Sequence, residues 1–382
     1  MRMLLLRVFS LTWAIAVCPI SALLLLTSAT GQGSVFAFGA LLLGVAPALA
    51  WLRPGSHRDR RANAGVVAFA LWLVITLGLF LVSPDGASRQ NARVQNRYSD
   101  GSWHYPRFSL GALLPESDQL LLGFKLMPIV DSLFTMEQAR RLSGLTRTIY
   151  REMDADADFR ALGSVLPEAY YEIWGQPFNH GHYFLYIPPH LDRKIPTPAL
   201  VFLHGSGGNF KAYTWLLSKV ADERHMVLIA PTFGMGNWDS QHSEPVVNAA
   251  LEDATKTIPL DLNQVHLAGL SNGGLGVSRV AASKSGSRFR SFIFLSPVCD
   301  REALGSKEFS AHVRGKPLLL ITGQEDNRVP LLYVLSCAEL LKSAGAKVEL
   351  SAYAAADHFL VFSHRERFLK ELSGWLERQS KP

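Results

Sequence analysis

From Val8 to Leu52 the sequence runs through forty-five residues without a charged side chain, and a second uncharged run extends from Ala62 to Val82. At about 1.5 Å per residue, roughly twenty apolar residues cross the ~30 Å hydrocarbon core of a bilayer as a helix. Soluble cores rarely hold an uncharged run of this length. The first run is interrupted only by the small polar stretch at residues 27–34, TSATGQGS. Three membrane-spanning helices are therefore expected, near residues 5–26, 35–52 and 64–82, and residues 1–83 read as an anchor whose partner is the lipid bilayer.

Charge gives the anchor a direction. Residues 1–83 hold six arginines (Arg2, Arg7, Arg53, Arg58, Arg60, Arg61) against the single acid Asp59, while the remaining 299 residues balance 32 basic against 31 acidic side chains. The net charge of +6 thus belongs almost wholly to the anchor. No basic stripe is left to follow a phosphate backbone, which removes nucleic acid as a partner. Arg2 and Arg7 flank the first span and four arginines crowd the loop before the third, whereas the 27–34 stretch has none. Positive residues stay on the cytoplasmic side, so the chain should leave the third span on the outer side. Were the first span a cleaved signal peptide, with small residues near Ala29, the destination would be the same. The expectation is an integral protein of a bacterial inner membrane, with residues 84–382 on the extracytoplasmic (periplasmic) side.

After the anchor, residues 84 to about 110 are polar and lack helical or strand periodicity, and read as a linker or strap. From Leu113 to about Tyr171 the apolar spacing turns helical, so residues 84–180 form a linker and helical region of unassigned role. Asp154, Asp156 and Asp158 alternate as in a calcium loop, but the sixth position is Phe159 instead of Gly and the twelfth is Val165 instead of Glu. A helix end or turn fits better. Beyond residue 180 short apolar segments alternate with helical patterns. Strands are expected at His182–Ile187, Ala199–Leu203, Met226–Ala230, Val265–Ala268, Ser291–Leu295, Pro317–Ile321 and Lys347–Tyr353, and a closing helix at Phe362–Arg378. Such alternation predicts a mainly parallel sheet with helices on both faces, an α/β domain over 181–382.

The strand ending at Ala268 runs into Gly269-Leu270-Ser271-Asn272-Gly273-Gly274, with a helical pattern behind it. G-x-S-x-G carries meaning in this strand-to-helix context. The turn exposes the Ser271 oxygen and leaves little room for side chains two residues on either side, which Gly269 and Gly273 satisfy. The helix N-terminus favours developing negative charge. Two further pieces follow in chain order. Asp326 lies in the loop after an apolar strand, and His358 in a later loop before the last helix. A serine hydroxyl needs a base to take its proton, and the base needs an acid to fix its tautomer. Ser271, His358 and Asp326 are the candidates for those roles. His364 and His204 compete for the base; Glu325 and Asp300 compete for the acid. Upstream, His204-Gly205-Ser206-Gly207-Gly208 ends a strand and can aim a backbone N–H at an oxyanion. Ser206 is the first choice of donor, Gly207 a possible substitute, and Asn272 the second donor.

These motifs resemble those of the α/β-hydrolase superfamily over roughly residues 182–378: the HGSGG turn, the GLSNGG elbow, the G-x-x-D-x-x-V-P acid loop and the late DHF histidine. SNGG after the elbow resembles both prolyl-oligopeptidase-type peptidases and esterases of the polyhydroxybutyrate-depolymerase and dienelactone-hydrolase kind. The resemblance implies a serine hydrolase acting through an acyl-enzyme on a small or polymeric ester, or on a short peptide. It implies no cofactor. The resemblance does not extend to residues 1 to about 180, and no β-propeller precedes the domain, which departs from full-length oligopeptidases and weakens the peptidase reading. A non-catalytic envelope binding or scaffold module on the same fold is the remaining reading, opposed by the complete trio.

His180 and His182 lack a third spaced ligand, so no metal site is expected. Met235 and Trp238 lie in a Gly-rich stretch after a strand and are candidates for a pocket wall. Only 21 residues separate the strand ending at Leu295 from that starting at Pro317, too few for a large cap. Cys299 and Cys337 could bridge in an oxidising compartment if they meet. Oligomeric state is not legible.

Overall fold

The computed structural model describes residues 1–51, 58–86, 92–101, 104–107, 109–173, 181–238 and 242–380. They form two compact units: residues 1–85 with 106–152, and residues 86–105 with 153–382. The 84–180 stretch is thus shared between the two units.

The first unit contains α1 (Arg2–Thr27), α2 (Gly31–Trp51) and α3 (Arg58–Val82), followed by α4 (Leu110–Leu113), α5 (Glu116–Val130) and most of α6 (Met136–Asp154). Met3–Thr27, Gly31–Trp51 and Asn63–Val82 are long and apolar enough to cross a membrane. Small residues let these helices approach closely. A Cβ on Gly65 would lie 2.8 Å from the Ala46 carbonyl oxygen, and one on Gly44 2.8 Å from the Cys18 sulfur. Trp13 Nε1 donates to the Leu43 carbonyl at 3.1 Å, tying α1 to α2. The polar stretch between them is organised by α5. The Asp118 carboxylate accepts from the Ala29 amide and the Thr30 hydroxyl, satisfying donors at the start of α2.

The second unit is built on one eight-stranded sheet: β1 (Val94–Tyr98), β2 (His182–Tyr186), β3 (Thr197–Leu203), β4 (Val227–Pro231), β5 (Leu260–Leu270), β6 (Ser291–Leu295), β7 (Pro317–Gly323) and β8 (Lys347–Tyr353). The strand order is β1-β2-β4-β3-β5-β6-β7-β8. β1–β2 and β2–β4 are antiparallel, and the other pairings are parallel. This is an α/β-hydrolase sheet. β2, β4 and β6 are buried along their whole length, as covered faces require. The remaining helices are α7 (Ala157–Ala161), α8 (Pro167–Ile173), α9 (Lys211–Arg224), α10 (Ser243–Thr257), α11 (Gly273–Ala282), α12 (Arg301–Leu304), α13 (Lys307–Val313), α14 (Leu331–Ser343), α15 (Leu360–Ser363) and α16 (Arg365–Ser380).

Two elements differ from expectation. Residues 94–98, without apolar alternation, are a strand because polar partners replace an apolar face. Asn96 bonds the carbonyls of Gly86 and Leu162 and the His182 ring, and Arg97 pairs with Asp253 at 3.0 Å. The closing helix is interrupted at His364, which leaves helical geometry at φ −120°, ψ 33°. Asp156 caps α7 and, with Asp158, holds Arg93, so the acidic alternation is a helix start. Cys299 and Cys337 are buried free thiols, with no bridge between them.

Candidate active site

β5 ends at Leu270 and α11 begins at Gly273, leaving two residues to reverse direction. Ser271 takes the strain, at φ +52°. That region costs a non-glycine residue of order 1–3 kcal/mol and persists only where the surroundings over-determine it. Here the Ser271 amide donates to the Leu295 carbonyl, and its own carbonyl accepts from Gly274 and Val298. The flanking glycines are demanded by space, since a Cβ on Gly269 would lie 2.3 Å from the Gly273 oxygen and one on Gly273 2.2 Å from the Leu203 oxygen.

The turn delivers Ser271 Oγ to 3.0 Å from His358 Nε2, and His358 Nδ1 lies 2.8 Å from Asp326 Oδ2. The other Asp326 oxygen accepts from the amides of Arg328 and Val329 at 2.9 and 2.8 Å, which fixes the carboxylate. The acid and histidine loops are stitched together by their backbones: Gln324 N–H donates to Tyr353 O and Glu325 N–H to Ala356 O. Gly323 is required there, because a Cβ would meet the Ala356 oxygen at 2.1 Å. His358 and Asp326 are both buried, Ser271 partly. The competing side chains are occupied elsewhere or exposed. Asp300 caps α12 and binds Arg279 Nε at 2.6 Å, Glu325 is exposed, and His364 Nδ1 meets Ser363 Oγ at 3.0 Å.

His204 shapes the neighbouring turn. Its Nε2 accepts from the Phe233 amide at 3.0 Å, which leaves Nδ1 protonated and donating to the Gly205 carbonyl at 2.8 Å. Gly205 lies against the elbow: a Cβ there would be 3.2 Å from Ser271 Cβ. Neither the Ser206 nor the Asn272 amide donates a hydrogen bond among the described residues, so both remain available to an oxyanion. Gly207 does not remain available: its amide donates to Met235 O at 3.0 Å. Trp238 also departs from expectation. It is 1% exposed, donates Nε1 to the His204 carbonyl at 2.8 Å and stacks on Phe233, so it is core behind the turn and no pocket wall. Met235 is half-buried, with its carbonyl engaged by Gly207. His182 is held by Thr232 and Asn96 in the sheet, and His180 lies outside the described residues.

Two apolar features beside the turn were not legible in the sequence. Phe210 stacks on Tyr213 and Tyr213 on Phe362, each pair 5.3 Å apart, and a Cβ on Gly207 would touch the Phe210 ring at 3.3 Å. The ladder joins the turn to α15, where Phe362 lies four residues beyond His358. On another side, Leu166 and Ala169 flank Gly208, where a Cβ would lie 3.0 and 3.2 Å from them. The only local signal is that Phe210 closely follows the glycine turn and Phe362 closely follows the histidine.

Comparison with known proteins adds a family match: residues 305–382 match the prolyl oligopeptidase family, a segment that includes Asp326 and His358. No curated protein sequence matches the chain. Among solved structures, the chain is similar to Thermogutta terrifontis esterase 2 phosphoramylated by tabun, at 18% identity and TM-score 0.42, over 52% of this chain and 89% of that one. It is similar to Pyrococcus horikoshii acylaminoacyl peptidase at 16% identity and TM-score 0.43, over 52% of this chain and 39% of the other. A putative dipeptidyl aminopeptidase IV from Bacteroides ovatus gives 15% identity and TM-score 0.42, over 52% and 33% of the two chains. The family match and the elbow geometry support a serine hydrolase.

Burial pushes His204 and His266 each down to about 4 from an ordinary 6.5, with Arg290 adding to the effect at His266. Both stay neutral in the folded state, whereas the unfolded chain protonates them below its pKa. Their stabilisation is therefore complete above pH 6.5 and is lost as pH falls from 6.5 toward 4. The denaturation midpoint of the purified protein should drop across this window, by up to about 1.4 kcal/mol per pH unit for each histidine. A midpoint that is flat between pH 7 and pH 4 would contradict it.

Proposed function

We propose that this chain is a membrane-anchored carboxylic ester hydrolase that works through an acyl-Ser271 intermediate. The observation that carries the reading is the chain of contacts from Ser271 Oγ through the His358 ring to Asp326, at 3.0 and 2.8 Å. Ser271 Oγ attacks the ester carbonyl carbon as its proton passes to His358 Nε2. Asp326 holds Nδ1–H and balances the imidazolium. The tetrahedral oxyanion rests on the Ser206 and Asn272 amides, each such donor being worth about 3 kcal/mol in the transition state. Collapse breaks the ester C–O bond, and His358 gives its proton to the departing alkoxide. Water, deprotonated by the same nitrogen, then attacks the acyl-serine and returns free acid and free Ser271. None of these steps requires a cofactor.

Phe210 and Phe362, half-buried at the two ends of the aromatic ladder, favour an apolar group on the substrate beside the oxyanion turn. The second reading is a serine peptidase, favoured by the prolyl oligopeptidase family match. The purified protein should hydrolyse acyl nitrophenyl esters well ahead of aminoacyl nitroanilides; preference for the anilides would make it a peptidase.

For organisation we propose an anchor over 1–83, an intervening region over 84–180 that lends β1 to the sheet, and a catalytic domain over 181–382. The catalytic domain would face the extracytoplasmic side of a bacterial inner membrane, a reading supported by the arginines flanking the first span and preceding the third. Alkaline phosphatase fused after Ser83 should be active in cells. An inactive fusion, with a cytoplasmic reporter active at the same site, would reverse the orientation.

A further inference from the structure

The turn between α5 and α6 presents apolar side chains outward in a unit otherwise dominated by the three membrane-length helices. Ile129 is 79% exposed, Val130 77%, Met136 51% and Leu133 49%. The turn itself is well built. Asp131 O accepts from the Phe134 amide and Asp131 Oδ1 from Leu133 N–H, while Thr135 and Gln138 exchange bonds as a capping box at the start of α6. Phe124 stacks on Phe134 at 6.1 Å and closes the inside of the turn. The outer residues are therefore held out by an ordered backbone.

The rest of the hairpin is tied to the polar turn between α1 and α2. Asp118 near the start of α5 bonds Ala29 and Thr30, and Arg147, well along α6, donates to the Thr27 carbonyl at 2.7 Å. One turn on from Asp118, Leu122 packs against the cluster of Leu24, Ala37 and Leu114. Leu24 and Ala37 lie on the apolar side of the α1–α2 turn, inside the two spans. α5 thus starts beside the apolar surface of the two spans, and between Gln119 and Val130 its single charge is Lys125. The apolar surface of α1 and α2 continues through Leu122 onto the hairpin. Lys125, Arg140 and Arg141 are exposed near its tip, where cations meet headgroup phosphates and long side chains snorkel.

We propose that the α5–α6 turn is a lipid-contact site, with Ile129, Val130, Leu133 and Met136 dipping into the headgroup–acyl boundary of the leaflet that holds the α1–α2 turn. The proposal rests on the three helices being spans. It is tested by nitroxide labels on the full-length protein carrying Cys18→Ala, Cys299 and Cys337 being buried. The protein is reconstituted in vesicles of phosphatidylcholine and phosphatidylglycerol. One label is at Val130→Cys, and a reference label at Val74→Cys lies in α3, where Val74 is 66% exposed. Dissolved oxygen should relax the Val130 label several-fold more than a water-soluble nickel chelate does, as at Val74. Chelate access at Val130 alone would mean water and overturn the site. Protection of Val130 from both relaxants would mean a protein contact and overturn it equally. Chelate access at both positions would remove the spans, and the proposal with them.

Discussion

Everything chemical in this protein depends on one backbone constraint: β5 must turn into α11 within two residues, with a non-glycine residue at positive φ. The strain at Ser271 is held by three backbone hydrogen bonds, one donated to Leu295 and two accepted from Gly274 and Val298, so the β6 strand and the segment after it are part of the elbow. The same turn brings Gly273 against the end of β3 and Gly205 against Ser271. The glycine turn after β3 and Ser271 are thus fixed to each other by close packing, without a flexible side chain between them. Such rigidity is what preorganised transition-state stabilisation needs.

The second half of the site follows a similar logic. Asp326 is oriented by its own loop amides, and that loop is bonded along its backbone to the loop bearing His358. A single rotation of the imidazole remains, and the Asp326 and Ser271 contacts at its two nitrogens fix it. His204 is buried and neutral, and works from behind as a brace for the turn at Gly205.

The parts that were legible in the sequence are those governed by short-range rules. Seven strands could be read, most from short apolar runs and β8 from the alternation of Val348 and Leu350 with Lys347, Glu349 and Ser351, and the elbow because glycine at positions 269 and 273 has no steric substitute. The three long helices could be read because water tolerates no such run of uncharged residues on its own. What escaped depends on partners distant in the chain. β1 escaped because Asn96 and Arg97 pair with His182 and Asp253 in place of an apolar neighbour. Trp238 looked available for a pocket wall, yet the His204 carbonyl and the Phe233 ring draw it inside. Gly207 looked like an oxyanion donor until Met235, on another loop, took its amide. The polar 27–34 stretch read as a bare loop, and only the fold supplies the Asp118 carboxylate that caps it.

The central claim is that Ser271 is a nucleophile activated by His358. A fluorophosphonate probe tests it most directly, because the probe forms a covalent bond only with an activated serine. The full-length protein should label at Ser271, located by peptide mass spectrometry, and Ser271→Ala should abolish the adduct. His358→Ala should slow labelling by roughly 10³-fold or more, since the base acts with the nucleophile as a unit. An unlabelled wild-type protein, under conditions where a control serine hydrolase reacts fully, would contradict the claim, as would an adduct on any other serine.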